Sequence, residues 1–257
     1  MSFLFSEIIF GPVKSRRLGV SLGVNLLPTN AKICTFDCIY CECGYNTTVK
    51  DGKLPTRTDV KEALEAKLQQ MQAAGEAPDV ITFAGNGEPT MHPDFPQVVD
   101  DTIALRNTYF PNAKISVLSN STFVRKDVVF EALKKVENNI MKLDSGIDST
   151  VNQIDRPTQS TYSVAGIIKE LQKFDGNLII QTMFLRGTHN GKMVDNTTPE
   201  EISALIDALK QVNPRQIMIY SLDRATPEDT LEKVSIEELK LIADQLRSAG
   251  FEVSVAG

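Results

Sequence analysis

From residue 57 to residue 255 the chain switches repeatedly between two hydrophobic rhythms, and this limits the folds open to it. Short apolar runs rich in β-branched residues alternate with longer segments whose apolar residues recur every three or four positions. Arg57–Ala74 is expected to be a helix with Val60, Leu64, Leu68 and Met71 on one face and Gly75 at its end. Asp79–Ala84 follows as a buried strand. The alternation continues with helices over Phe95–Arg106, Lys126–Val136, Tyr162–Phe174, Pro199–Val212 and Ile236–Ala249. The strands between and after them are Ala113–Leu118, Asn139–Leu143, Leu178–Phe184, Gln216–Ser221 and Phe251–Val255. A first strand is expected near Ser21–Leu27.

Strands alternating with helices of this length imply right-handed βαβ units on a parallel sheet. About six units are present, short of a full eight-unit barrel. The expected fold class is therefore α/β, an open, partial (β/α)6 barrel of the TIM type. The polar stretch Asp144–Ser160 reads as its longest loop. With no internal repeat or linker, residues 1–257 are expected to form a single domain, residues 1–20 being an extension before the first barrel strand. The hydrophobic fraction of 42% suffices for a core of that size.

All four cysteines lie between Cys34 and Cys43. A disulfide framework would spread them along the chain, so clustering favours a metal or cluster site. Cys34, Cys38 and Cys41 form C-x3-C-x2-C, three thiols suited to three corners of a [4Fe–4S] cube with one iron left open. Zinc is the rival, but its sites pair cysteine knuckles or add histidines, and His92 and His189 lie in no such spacing. In α/β folds ligands bind beyond the C-terminal ends of the strands. The sequence places there Gly85-Asn86-Gly87-Glu88-Pro89, Ser119-Asn120, Asp144-Ser145, Arg186-Gly187 and Leu222-Asp223-Arg224. Glycines let backbone approach a ligand, although Gly-Asn-Gly is also ordinary turn chemistry.

The cysteine spacing together with G-N-G-E-P resembles the radical S-adenosylmethionine (SAM) superfamily. The resemblance implies that Cys34, Cys38 and Cys41 ligate a [4Fe–4S] cluster whose fourth iron is chelated by SAM. It implies that Gly85, Asn86, Gly87 and Glu88 hold the methionyl amino group, with Asn86 where the family has glycine. Tyr40 would lie near the adenine. Ser119, Asn120 and Asp144 resemble the family's polar strand endings, although each also suits a cap or a turn. The implied reaction is reductive: the cluster gives one electron to the sulfonium, the C5′–S bond breaks, methionine leaves, and a 5′-deoxyadenosyl radical takes hydrogen from a substrate. Within the superfamily, Gly11–Gly19, S-L-G-V-N-L-L-P, Asp155–Pro157 and Leu222–Arg224 resemble the small Fe–S oxidoreductases related to the wyosine (tRNA-modifying) synthases. Those synthases carry a second cluster on further cysteines, for which this chain has only Cys43.

The implied partners are an unidentified substrate (a small molecule, RNA or a protein) and an electron donor such as flavodoxin or ferredoxin. A net charge of −6 gives no support to a broad nucleic-acid face. No apolar run reaches membrane-spanning length, and the N-terminus lacks a basic signal-peptide region, so a cytoplasmic protein without a membrane partner is expected. Two other readings stay open at this stage: an activase that makes a glycyl radical on a partner protein, and a non-catalytic protein using Cys34, Cys38, Cys41 and Cys43 as a structural metal site. Lys14, Arg16 and Arg17 suit either a solvated surface or an anion site. Arg156, Arg186 and Arg224 would suit a carboxylate or phosphate if they converged. Lys142 and Asp144, two apart on a strand, share a face. His92 reads as a helix-start residue and His189 as an exposed loop residue.

Overall fold

A computed structural model describes residues 3–47 and 52–256; the expected domain also includes residues 1–2, 48–51 and 257, which lie outside the described residues. Seven strands run parallel in sequence order: β2 (Gly19–Val24), β3 (Val80–Phe83), β4 (Lys114–Ser119), β5 (Asn138–Lys142), β6 (Ile179–His189), β8 (Gln216–Ser221) and β10 (Val253–Ala256). The sheet curls into a half-barrel. Helices α1 (Arg57–Ala73), α2 (Phe95–Tyr109), α3 (Asp127–Leu133), α5 (Val164–Gln172), α6 (Pro199–Val212) and α7 (Ile236–Ser248) make the crossovers.

The crossovers begin where the chemistry allows. Thr56, Ser163, Thr198 and Ser235 each cap a helix by accepting the backbone N–H three positions on. Thr56 and Asp59 complete a reciprocal capping box at α1. Each helix turns its apolar stripe onto the sheet: Val60, Leu64, Leu68 and Met71 of α1 join Leu22, Ile81 and Phe83 in one continuous core. β3 is buried on both faces, as a parallel strand between helices and barrel interior must be. Inside the barrel, Ile140, Ile179 and Met218 form a smaller apolar layer against Leu18 and Leu118.

Three features depart from the sequence expectation. The segment before the first barrel strand contains β1 (Ile9–Ser15), paired antiparallel to β2 with an irregularity between Phe10 and Val13; β2 itself ends at Val24 rather than at Leu27. The stretch Asp144–Ser160, expected as a loop, contains a seven-residue helix, α4 (Asp148–Ile154). It is too short to show a hydrophobic period, which is why it read as irregular. Finally, β6 continues past the barrel to His189, where β7 (Lys192–Asp195) and β9 (Leu231–Lys233) pair with it antiparallel.

Candidate functional site

Because the seven strands are parallel, the segments following β2, β3, β4 and β5 emerge at one end of the sheet. The cysteine loop follows β2, and G-N-G-E-P follows β3. They meet as a parallel bridge between Ile33 and Gly87. Ile33 N–H donates to Asn86 O at 2.9 Å, and Glu88 N–H donates to Ile33 O at 3.2 Å. Only glycine permits this contact: Gly87 has φ +137°, and a Cβ there would lie 1.8 Å from the Ile33 carbonyl oxygen. The Asn86 side chain faces the other way. It donates to Phe5 O at 2.9 Å and Pro28 O at 2.8 Å and accepts from Phe5 N–H at 2.9 Å, clamping the N-terminal segment.

Glu88 is buried and joins the ends of β3 and β4. Its carboxylate accepts from Thr90 N–H at 3.0 Å, Ser119 Oγ at 2.9 Å and Asn120 N–H at 2.6 Å. Burial pushes its carboxyl up, and the donors from Thr90, Asn120 and Ser119 oppose that by favouring the charged form. Asn120 then reaches back to the cysteine loop, donating to Thr35 Oγ1 at 2.8 Å and to Cys34 Sγ at 3.4 Å. Ser119, Asn120, Glu88 and Cys34 thus form one hydrogen-bonded chain across two strands and the loop.

Tyr40 is held on the opposite side of the loop. Its hydroxyl donates to Asp144, and Lys142 Nζ lies 4.4 Å from its ring centroid. Lys142 also pairs with Asp144 and, at 2.9 Å, with Asp155. Asp144 accepts from Met183 N–H at 3.0 Å, which ties the cluster to β6. Although burial works against its charge, Asp144 and Asp155 hold Lys142 well above the ordinary lysine range. Burial raises Asp155 to about 7, with Lys142 opposing and Asp144 reinforcing the shift. The sequence placed Lys142 and Asp144 together; Asp155 joins them because α4 delivers it there.

The four cysteines are free thiols. Burial raises Cys38, and burial followed by Glu88 raises Cys34 to about 12. A hydrogen bond from Cys43 lowers Cys41 to about 6, against burial, and Cys43 Sγ also donates to Gly85 O at 3.4 Å. Lys32, not singled out by the sequence, is buried beside them. Its Nζ donates to Gly44 O at 2.8 Å and lies 3.7 Å from Asp37. Burial disfavours its charge, but Cys41, Cys38, Cys34 and Asp37 hold the ammonium above its ordinary value. Its position as the only lysine flanking the C-x3-C-x2-C run was the available signal. This donor set fits an iron–sulfur cluster: Cys34 Sγ already accepts from Phe36 N–H and Asn120 Nδ2, both at 3.4 Å, as ligand thiolates do. Among the described residues, no three His, Cys, Asp or Glu side chains are grouped to hold a single metal ion.

The other candidates separate. Arg156 lies 3.7 Å from Asp37, Arg186 pairs with Glu238, and Arg224 pairs with Glu42 at 2.8 Å. Each is held by a different carboxylate. His92 bonds Pro55 O at 2.8 Å and accepts from Asp94 N–H, a structural role before α2. His189 lies 3.4 Å from Glu228, with a largely buried ring rather than an exposed one. A cavity of about 720 Å³ lies not here but at the N-terminal ends of the strands.

Residues 31–190 match the Radical SAM superfamily, and the chain belongs to that superfamily. It is an enzyme of the class whose cofactors are a [4Fe–4S] cluster and SAM. It is 28% identical over 240 residues to UPF0026 protein MJ1312 of Methanocaldococcus jannaschii, covering 91% of this chain and 70% of that protein. Its fold is similar to a radical SAM methyltransferase from Sphaerobacter thermophilus, with TM-score 0.66 and 14% identity over 91% of this chain and 65% of that one. It is also similar to TYW1, a wyosine synthase, solved with a lysine-pyruvate adduct bound: TM-score 0.62 and 17% identity over 89% of this chain and 73% of that one. No helix among the described residues is long and apolar enough to cross a membrane.

Proposed function

We propose that this enzyme reductively cleaves SAM at a [4Fe–4S] cluster ligated by Cys34, Cys38 and Cys41, and directs the resulting hydrogen abstraction at a substrate not yet identified. When bound, the reduced cluster and SAM supply a 5′-deoxyadenosyl radical; the chain's own residues position, charge and enclose. Gly85 and Gly87 bring the β3 turn against the cysteine loop. Glu88, fixed by Ser119 and Asn120, gives that turn a carboxylate for the methionyl amino group. Tyr40, oriented by Asp144, presents its ring on the adenine side. Lys32 supplies a buried positive charge beside the anionic cluster. The observation that carries the reading is the Ile33–Gly87 bridge, which joins the two motifs into one site.

A flavodoxin or ferredoxin is the electron donor this reading implies, and a loop of four free thiols suits the reducing cytoplasm. We take the chain to work as one domain. The test is anaerobic: reconstitute with iron and sulfide, add dithionite and SAM, and quantify 5′-deoxyadenosine. Wild type is expected to form it and Cys38→Ala to form none. Equal product from both proteins would overturn the assignment of Cys38.

A further inference from the structure

We propose that the cavity at the N-terminal end of the barrel is a binding site for an oxyanion, a small carboxylate or phosphate, anchored by Arg17. The inference does not depend on the reading of the cysteine loop, which lies at the other end of the strands.

The cavity, about 720 Å³, is large enough for a small metabolite. Its wall carries Arg17, Lys114, Asn112, Gln216 and Ser254, with Asp79 as its one carboxylate. That carboxylate is already engaged, accepting from Val20 N–H at 2.7 Å. The formal balance of the wall is therefore one positive charge in excess, with amide and hydroxyl donors beside it.

Arg17 is the unusual member. Among the described residues, the other arginines that are not exposed each meet a carboxylate: Arg106 meets Glu137 at 3.0 Å, Arg156 meets Asp37 at 3.7 Å, and Arg186 meets Glu238. Arg17 meets none. Its guanidinium stacks over the Tyr220 ring, 4.4 Å from the centroid, and its Nη1 is buried without an acceptor. A buried donor on a charged group left unbonded is costly, whereas an oxyanion bonding a guanidinium fork recovers that cost. The contact with the Tyr220 ring holds the guanidinium in place. The tight turn between β1 and β2 delivers Arg17 into the barrel, and Ser15 Oγ holds that turn by accepting from Arg17 N–H at 3.3 Å and Leu18 N–H at 3.2 Å. The neighbouring Arg16 is a natural control: it pairs with Asp223 at 3.4 Å and does not line the cavity.

The experiment uses the anaerobically prepared, cluster-loaded protein at low ionic strength. Inorganic phosphate is followed by the 31P line width and [13C]acetate by the 13C line width, each titrated against wild type, Arg17→Gln and Arg16→Gln. At least one probe is expected to broaden saturably with wild type and with Arg16→Gln, and at least tenfold more weakly with Arg17→Gln. Which probe responds distinguishes phosphate from carboxylate ligands. Circular dichroism on each variant establishes folding, and Arg17→Lys, which keeps the charge but loses the fork, is expected to fall between the two. No saturable broadening with wild type, or equal broadening with Arg17→Gln, overturns the proposal. SAM cleavage by wild type is read separately on the same preparation. Arg17-dependent broadening without any cleavage would defeat the reading of the cysteine loop and leave this one standing.

Discussion

At Gly87 a single missing atom decides whether two motifs can meet. A Cβ there would collide with the Ile33 carbonyl, and the positive φ adds strain for any other residue. Gly87→Ala is expected to lose at least about 2 kcal/mol of stability in urea titration and to retain less iron, since the turn must back away from the cysteine loop. Asp155 gives a pH signature. Its folded value of about 7 lies above the roughly 3.9 of an unfolded carboxyl. The folded state therefore binds the extra proton between those values, so this group's stabilising contribution is full at low pH and is lost as pH rises through 7. Asp155→Asn is expected to flatten that decline, measured as urea midpoints at about pH 5 and about pH 8. Lys32→Met removes a buried cation beside the cysteines and is expected to lower the cluster potential, on the order of 50–100 mV in a redox titration. An unchanged potential would mean that its charge faces elsewhere. The gathering of Cys34, Cys38 and Cys41 in one loop was legible from their spacing, and the place of Glu88 at the end of β3 from the βα alternation. Lys32 and Asp155 were not, because their roles arise from burial and from a helix bringing distant residues together.

The elements that read most clearly were those whose burial imposes a period. α6 and β8 match their expected bounds, since each has an apolar face or an apolar run that only one structure can bury. β1, β7 and β9 did not read as strands: β1 and β7 bury one residue each and β9 none, so hydrogen bonding to a neighbour rather than apolar burial defines them. α4 was hidden for a related reason, with two buried residues, Val151 and Ile154, in seven. Yet this helix supports the cysteine loop. Ile39 N–H donates to Ile154 O at 2.9 Å, and Asp37 N–H donates to Asp155 O at 3.0 Å. Ile154 packs with Phe36, Cys38, Ile39 and Tyr40 in a cluster separate from the main core. Ile154→Ala is expected to cost about 2–5 kcal/mol in urea unfolding and to lower iron retention more than Leu64→Ala. Leu64 is an equally buried residue of α1 that belongs to the main core instead. Equal iron retention in the two variants would separate α4 from the site.

Across the whole molecule, the half-barrel puts different chemistry at its two ends. The C-terminal end carries the cysteine loop, braced by Glu88, Asn120 and the Lys142–Asp144–Asp155 cluster; the N-terminal end carries the cavity bordered by Arg17. Tyr220 lies between them, stacked on Arg17 and within electrostatic reach of Lys142 and Asp144, while burial raises its hydroxyl to about 12. The parallel order of the strands and the end at which the motifs gather were legible in the sequence, because both follow from the βα alternation. The contents of the opposite end were not, since no single run of residues builds it. The most direct test of the central claim is the electron paramagnetic resonance spectrum of the anaerobically reconstituted, dithionite-reduced protein with and without SAM. The three-cysteine reading predicts a [4Fe–4S]+ signal whose g-values shift when SAM is added, because one iron is open to it. A cluster signal indifferent to SAM, or a protein that takes up zinc and no iron, would contradict it.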